Sequence, residues 1–146
     1  MTPKGGDLRQ IAEEGGPEFV LPEYQLDLYI ADYAKPIIVL WDGIVMGGGA
    51  GISINCRYRI ATERTLFAMP EVKAGFFPDV GSSHFLAKMP GHIGRYLATT
   101  ADRITHSDAL YTGLATHYVL SSTLPDFVVC VFNVGKLTSP VKSAER

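Results

Sequence analysis

Two hydrophobic rhythms alternate along the chain. Ile37–Trp41 is a continuous apolar run, which predicts a short strand covered on both faces. The segment YRIA within 57–61, a short extended piece over Thr65–Phe67 and ATHYVL within 114–120 predict further strands. Between them the spacing is helical. Asp7 caps a helix whose apolar face is Leu8, Ile11 and Ala12, and Gly15-Gly16-Pro17 ends it. Glu18–Ala34 predicts a second helix with Tyr24, Leu28 and Ala31 on its inner stripe and Pro22 in its first turn. Lys35-Pro36 closes it, because the residue before proline is pushed out of the helical region. Gly81–Met89 presents Phe85, Leu86 and Met89 inward, and Ile93–Thr99 presents Ile93, Tyr96 and Leu97. Thr105 or Ser107 caps a short helix over Asp108–Tyr111 that Gly113 terminates. The apolar stretch Pro125–Val131 reads as a strand or a docking segment, and the polar residues that end the chain read as loose. Strands alternating with helices predict an α/β layer architecture.

Composition narrows the function. The 146 residues suffice for one domain with a real core, and 47% hydrophobic content argues against disorder. A formal charge of −2, with lysines and arginines scattered, gives no signal for nucleic acid. No apolar run reaches the ~20 residues that span a bilayer. The two cysteines, Cys56 and Cys130, have no metal or redox spacing and read as buried thiols. His84 reads as a helix-surface histidine, and His106 and His117 lack metal-ligand spacing and read as structural.

The chemistry concentrates between Lys35 and Gly81. Met46 leads into Gly47-Gly48-Gly49-Ala50-Gly51. Glycines this dense disfavour a helix on propensity but let backbone approach something closely. A helix starting here would aim free N–H groups at a ligand; close packing through small residues explains the cluster equally well. Neither a phosphate-loop nor a dinucleotide pattern is present. Gly5-Gly6 is a turn, or a place where Gly6 lends an N–H to a ligand. Glu71 and Asp79 then flank an apolar segment with Phe76-Phe77 and two prolines nearby. A carboxylate in apolar surroundings has a raised pKa and can serve as general acid or base. The plainer alternative pairs Glu71 with Lys73 or Arg64 and makes Asp79 a helix cap.

MGGG at 46–49, FAMPE at 67–71 and FPDVG at 77–81 together resemble the enoyl-coenzyme A hydratase/isomerase (crotonase) superfamily, and in particular a thioester-hydrolase branch of it. KP at 35–36, ATE at 61–63 and HSDALYTGLATHYV at 106–119 extend the likeness from about Gly5 to Ser121. The resemblance implies a partial crotonase-like spiral core of short strands with flanking helices over 1–121. It also implies a short divergent tail over 122–146, without the family's N-terminal strands and C-terminal helical region. It assigns the backbone N–H groups of Gly6 and Gly48 to an oxyanion hole. Gly51 stands where hydratases carry their first glutamate, and Glu71 matches their second. The hydrolase branch pairs the glutamate at Glu71 with an aspartate at Asp79. The implied reaction is hydrolysis of a short branched 3-hydroxyacyl-coenzyme A thioester, as in valine breakdown. Coenzyme A enters as part of the substrate, with no separate cofactor and no metal. Ser82-Ser83 replace glycines usual after that aspartate. The resemblance further implies a mitochondrial location and a homo-oligomer or a subunit of a larger assembly. Its alternatives are a non-catalytic structural subunit, such as one of a mitochondrial ribosome, and an enoyl-coenzyme A hydratase or isomerase.

Overall fold

The computed structural model describes residues 17–137. Gly6 and the helix expected after Asp7 lie outside the described residues. Twelve short strands and helices follow in chain order. Helix α1 is Pro17–Ala31, and β1 is Ile38–Trp41. Then come β2 (Ile44–Met46), α2 (Gly48–Ile54), β3 (Tyr58–Ala61) and β4 (Leu66–Ala68). A 3-10 turn over Glu71–Ala74 leads to α3 (Ser82–Ala87) and α4 (Ile93–Thr100). After β5 (Ile104–Thr105) come α5 (His106–Tyr111) and β6 (His117–Tyr118). Helix α6 (Leu124–Leu137) closes the described chain.

The strands form two small sheets, ordered β1-β3-β6 and β2-β4-β5. β1 pairs β3 in parallel, with Ile38 opposite Tyr58, and β2 pairs β4 in parallel, with Ile44 opposite Leu66. Each rung of the spiral therefore runs through one sheet, turns a corner and enters the other. Asp42 ties two successive corners together. Its carboxylate accepts from Thr62 Oγ1 and from Arg64 Nε, both at 2.8 Å, and pairs again with Arg64 through Nη2. Backbone bonds Thr62 N–H to Trp41 O (3.2 Å) and Leu66 N–H to Gly43 O (2.9 Å) complete the joint. The third rung is held by Arg59, whose guanidinium donates to the carbonyls of Cys56, Gly113 and Leu114.

The core fills the space between the sheets and the helices. Trp41, Val45, Ala50, Phe67, Met69, Leu97 and Ala109 are fully buried within it. The Trp41 and Phe67 rings stack at 5.9 Å, and Phe85 meets Phe67 edge-on at 6.4 Å. These contacts bear out Leu86 and Met89 on the α3 segment and Leu97 on α4 as inward-facing, whereas β1, expected to be covered on both faces, fully buries only Trp41 and leaves Ile38 exposed.

Several expectations need correction. Leu28, expected on the inner stripe of α1, is exposed, as are Leu21, Leu26 and Tyr29. The face turned inward instead carries Glu23, Tyr24 and buried Asp27. Pro22 lies inside the helix rather than beginning it. Tyr96 is exposed because Gly94 and Leu97 take the contact with α3. Pro125–Val131, for which a strand was one expectation, is part of the helix α6 instead. Pro125 sits in that helix's first turn, where its missing N–H costs nothing. Cys56 is buried, but Cys130 is exposed on α6, and both are free thiols. ATHYVL contributes only the two residues of β6 to a ladder.

Candidate active site

Helix α2 forms despite its glycines because its packing demands them. Gly47 precedes it with φ 51°, a left-handed conformation that a side chain disfavours. Helix α1 crosses α2 and lays two carboxylates on its glycine face. A Cβ placed on Gly48 would lie 1.8 Å from Glu23 Oε1, and one on Gly51 would lie 2.9 Å from Asp27 Oδ2 and 2.5 Å from Val80 Cβ. Glu23 and Asp27 are one turn apart on α1, and Gly48 and Gly51 are nearly one turn apart on α2. The glycines thus provide both close packing and a bare helix start at Gly48, where no side chain caps the first N–H groups.

Glu71 opens the 3-10 turn after β4 and is half-buried beside this start. Its Oε1 lies 3.2 Å from the Cβ position of Gly47, and its Oε2 is buried without a hydrogen-bond partner. Burial pushes its carboxyl above the usual range; a hydrogen bond from its own backbone opposes this and the Asp79 charge adds to it. Asp79 follows the exposed Phe76-Phe77 pair, whose rings stack at 4.3 Å. Its Oδ2 accepts a hydrogen bond from Tyr24 Oη at 2.7 Å. That bond, after burial itself, holds the Tyr24 hydroxyl well above its ordinary pKa.

The plainer reading of the two acids does not hold. Arg64 is engaged by Asp42, and Lys73 Nζ donates to Ala101 O at 3.1 Å. Helix α3 has Gly81 at its N-cap and no side-chain cap. Three of the residues singled out from the sequence, Gly48, Glu71 and Asp79, thus belong to one neighbourhood. The histidines lie elsewhere: His84 contacts Lys88 on α3 at 2.6 Å, His106 stacks on Tyr118 and His117 meets Tyr58. Among the described residues no group of three or more His, Cys, Asp or Glu is placed to hold a metal ion. Two clefts among the described residues lie away from the acids, one beside Arg59 and Lys88, the other between the end of α1 and β1.

Glu23 and Asp27 carry no expectation from the sequence, and Tyr24 only that of a place on the inner stripe of the helix. Their signal was the spacing i, i+1, i+4 on a helix whose leucines fall on the other side. Asp27 is strongly perturbed. It is 7% exposed, neither carboxyl oxygen has a partner, and burial, then Glu23 and Asp79, raises its pKa from 3.8 to about 7. The folded chain therefore keeps a proton between pH ~4 and ~7 that the unfolded chain has released. The stability Asp27 contributes is full below pH ~4 and is lost as the pH rises toward 7. Asp27→Asn, with no proton to lose, is expected to gain on wild type across that window. The difference should reach on the order of 1–3 kcal/mol at pH 7 after solvent screening, read as melting temperature against pH. A difference that stays constant with pH would contradict the assignment.

A short-stranded spiral with a carboxylate beside a bare glycine-rich helix start defines a class of protein. A family model for enoyl-CoA hydratase/isomerase matches residues 4–143, and the chain belongs to that family. Among solved structures it is similar to an enoyl-CoA hydratase from Rhodobacter sphaeroides (36% identity, TM-score 0.81, 97% of this chain and 44% of that one). It is also similar to a carnitinyl-CoA dehydratase from Mycobacterium thermoresistibile (38% identity, TM-score 0.82, 87% and 39%). Among curated relatives it is 49% identical to the small ribosomal subunit protein mS47 of Neurospora crassa, over 83% of this chain and 26% of that protein. It is 46% identical to the mitochondrial 3-hydroxyisobutyryl-CoA hydrolase of Xenopus tropicalis, over 83% and 33%. The chain spans about a quarter to a third of the length of these curated relatives.

Proposed function

We propose that this chain carries the acid-bearing part of an acyl-coenzyme A thioester hydrolase acting on 3-hydroxyisobutyryl-coenzyme A. The observation that carries the reading is Glu71, half-buried with a free oxygen beside the start of α2, while Gly51 brings no second carboxylate from that helix. The relatives named 3-hydroxyisobutyryl-CoA hydrolase support it. In this reading the thioester oxygen accepts from the N–H groups of Gly48 and Gly6, which stabilise its negative charge as the carbonyl carbon is attacked. Glu71 removes a proton from the attacking water, or attacks directly to give an anhydride that water then opens. The carbon–sulfur bond breaks, the thiolate takes up a proton, and free acid and coenzyme A leave. Asp79, held by Tyr24, accepts the hydrogen bond of the substrate's 3-hydroxyl, and the exposed Phe76-Phe77 pair offers apolar contact nearby. The relatives' names extend the proposal to a mitochondrial setting, and the family to a homo-oligomer.

Thiol release from 3-hydroxyisobutyryl-coenzyme A should exceed that from isobutyryl-coenzyme A by at least about tenfold in kcat/KM, because the latter offers Asp79 no hydroxyl to engage beside its bond from Tyr24. Equal rates would remove the role given to Asp79, and no thiol release by the folded protein would overturn the reading. A second reading, a non-catalytic subunit of a larger assembly, is favoured by the 49% identity to mS47. It predicts co-sedimentation with a small ribosomal subunit and no thiol release.

A further inference from the structure

Asp79 is followed by a residue in a backbone conformation that its type disfavours. Val80 has φ 46° and Gly81 has φ 77°. Ser82 N–H donates to Asp79 O at 2.8 Å, so residues 79–82 make a tight turn with positive φ at both central positions. Turns of that kind take glycine, asparagine or aspartate at the first central position, and Val80 is none of these. In the left-handed region the Cβ crowds the carbonyl oxygen that follows it, and a β-branched side chain has the least freedom to relieve the crowding. Among the described residues His92 and Ala101 are the other non-glycine residues with positive φ, and neither is β-branched. Strain of this sort persists only where the surroundings hold it.

Helix α2 is what holds it. Val80 is buried, and its Cβ and Cγ1 lie 2.5 Å and 3.0 Å from where a Cβ on Gly51 would stand. The isopropyl group is thus seated on the bare backbone of Gly51. Buried Ser82 ties the turn from the other end, its Oγ donating to Pro78 O. Between these two anchors stands Asp79, whose carboxylate accepts from Tyr24 on α1. We propose that Val80 is a positioning residue: seated on Gly51, it fixes the turn so that the Asp79 carboxylate stays on Tyr24, and it thereby sets the preference for a hydroxylated acyl group. That preference rests on the hydrolase reading, whereas the coupling of Gly51 to Asp79 through Val80 does not. Gly51 then has a second meaning, because any side chain there displaces Val80.

Gly51→Ala, Val80→Gly and their double variant, made in the full chain, test the coupling. Glycine takes the left-handed conformation without strain and removes both atoms that would meet a Cβ at 51. Gly51→Ala should therefore lower the denaturant midpoint sharply in wild type and far less in the Val80→Gly background. An equal loss in both would put the clash on Asp27 Oδ2, 2.9 Å from the same point, and overturn the proposal. Should Gly51→Ala fail to fold, a folded double variant supports the proposal and an unfolded one overturns it. Tyr24→Phe reads the place of Asp79 itself. Its effect on the midpoint should be no more than about half as large in Val80→Gly as in wild type, and an undiminished effect would refute the anchoring. In thiol release, the preference for 3-hydroxyisobutyryl- over isobutyryl-coenzyme A should fall to about threefold or less in Val80→Gly, through loss on the hydroxylated thioester. A folded Val80→Gly protein that keeps the wild-type preference would deny Val80 its part in specificity. If wild type releases no thiol, the hydrolase reading fails by itself, and the midpoint measurements still decide whether Val80 couples Gly51 to Asp79.

Discussion

Glu71→Gln is expected to lower kcat for thioester cleavage by roughly 10²–10⁴-fold, the usual worth of a positioned acid–base group. The substitution keeps the shape of the side chain and its place beside Gly47 while removing the ability to take a proton or to attack. Glu71 has a half-buried carboxyl with one oxygen free of partners, so the amide leaves no broken ion pair behind. Stability should therefore not fall, and at neutral pH the melting temperature should equal or exceed that of wild type, because burial raises the Glu71 pKa in the folded state. Burial raises the Glu71 pKa, so the wild-type rate should rise with pH on the acid side as this carboxyl ionises. Steady-state kinetics with a thiol-reactive dye measure both effects. A Glu71→Gln protein with more than a tenth of wild-type activity would place the chemistry on another group.

The second large effect concerns folding. Gly94 lies on α4 where it crosses α3, and a Cβ there would sit 1.8 Å from Leu86 O and 2.5 Å from Leu86 C. These are backbone atoms and cannot swing aside as the Glu23 side chain could at Gly48. Gly94→Ala must therefore push the two helices apart, next to fully buried Leu97 and buried Leu86 and Met89. A loss of at least ~3 kcal/mol is expected, at the upper end for overpacking, visible as a large drop in the denaturant midpoint. On helix propensity alone the substitution would be mildly stabilising, by about 1 kcal/mol. The two physical effects thus predict opposite signs, and a midpoint at or above wild type would show that α4 does not approach α3 this closely.

How far the molecule was legible in the sequence varied with the kind of signal. The strand at Ile38–Trp41 and the helices over Ser82–Ala87 and Ile93–Thr100 follow from local periodicity, because their apolar faces point to the core they build. Helix α1 deceived the same reasoning. Its leucines at 21, 26 and 28 are exposed, while Glu23 and Asp27 face inward. Hydrophobicity assigns acids to water unless something else removes them from it, and here that is the glycine face of a helix some twenty-five residues further along. The segment Pro125–Val131 failed differently: its valines favour a strand, but Pro125 in a first turn starts a helix.

By itself the sequence determined the alternation of strands and helices, the absence of a polar or charged bias, and the concentration of glycines and acids between Gly47 and Asp79. Those properties belong to composition and to neighbours within a few residues. Only the tertiary structure decided what the glycines are for. Gly48 and Gly51 admit carboxylates from α1, and Gly94 admits the backbone of α3. It also decided which acids are perturbed, since Asp27 is unremarkable until burial and the charges of Glu23 and Asp79 act on it together. Desolvation and Coulomb repulsion depend on distance through space, and no spacing along the chain encodes that distance.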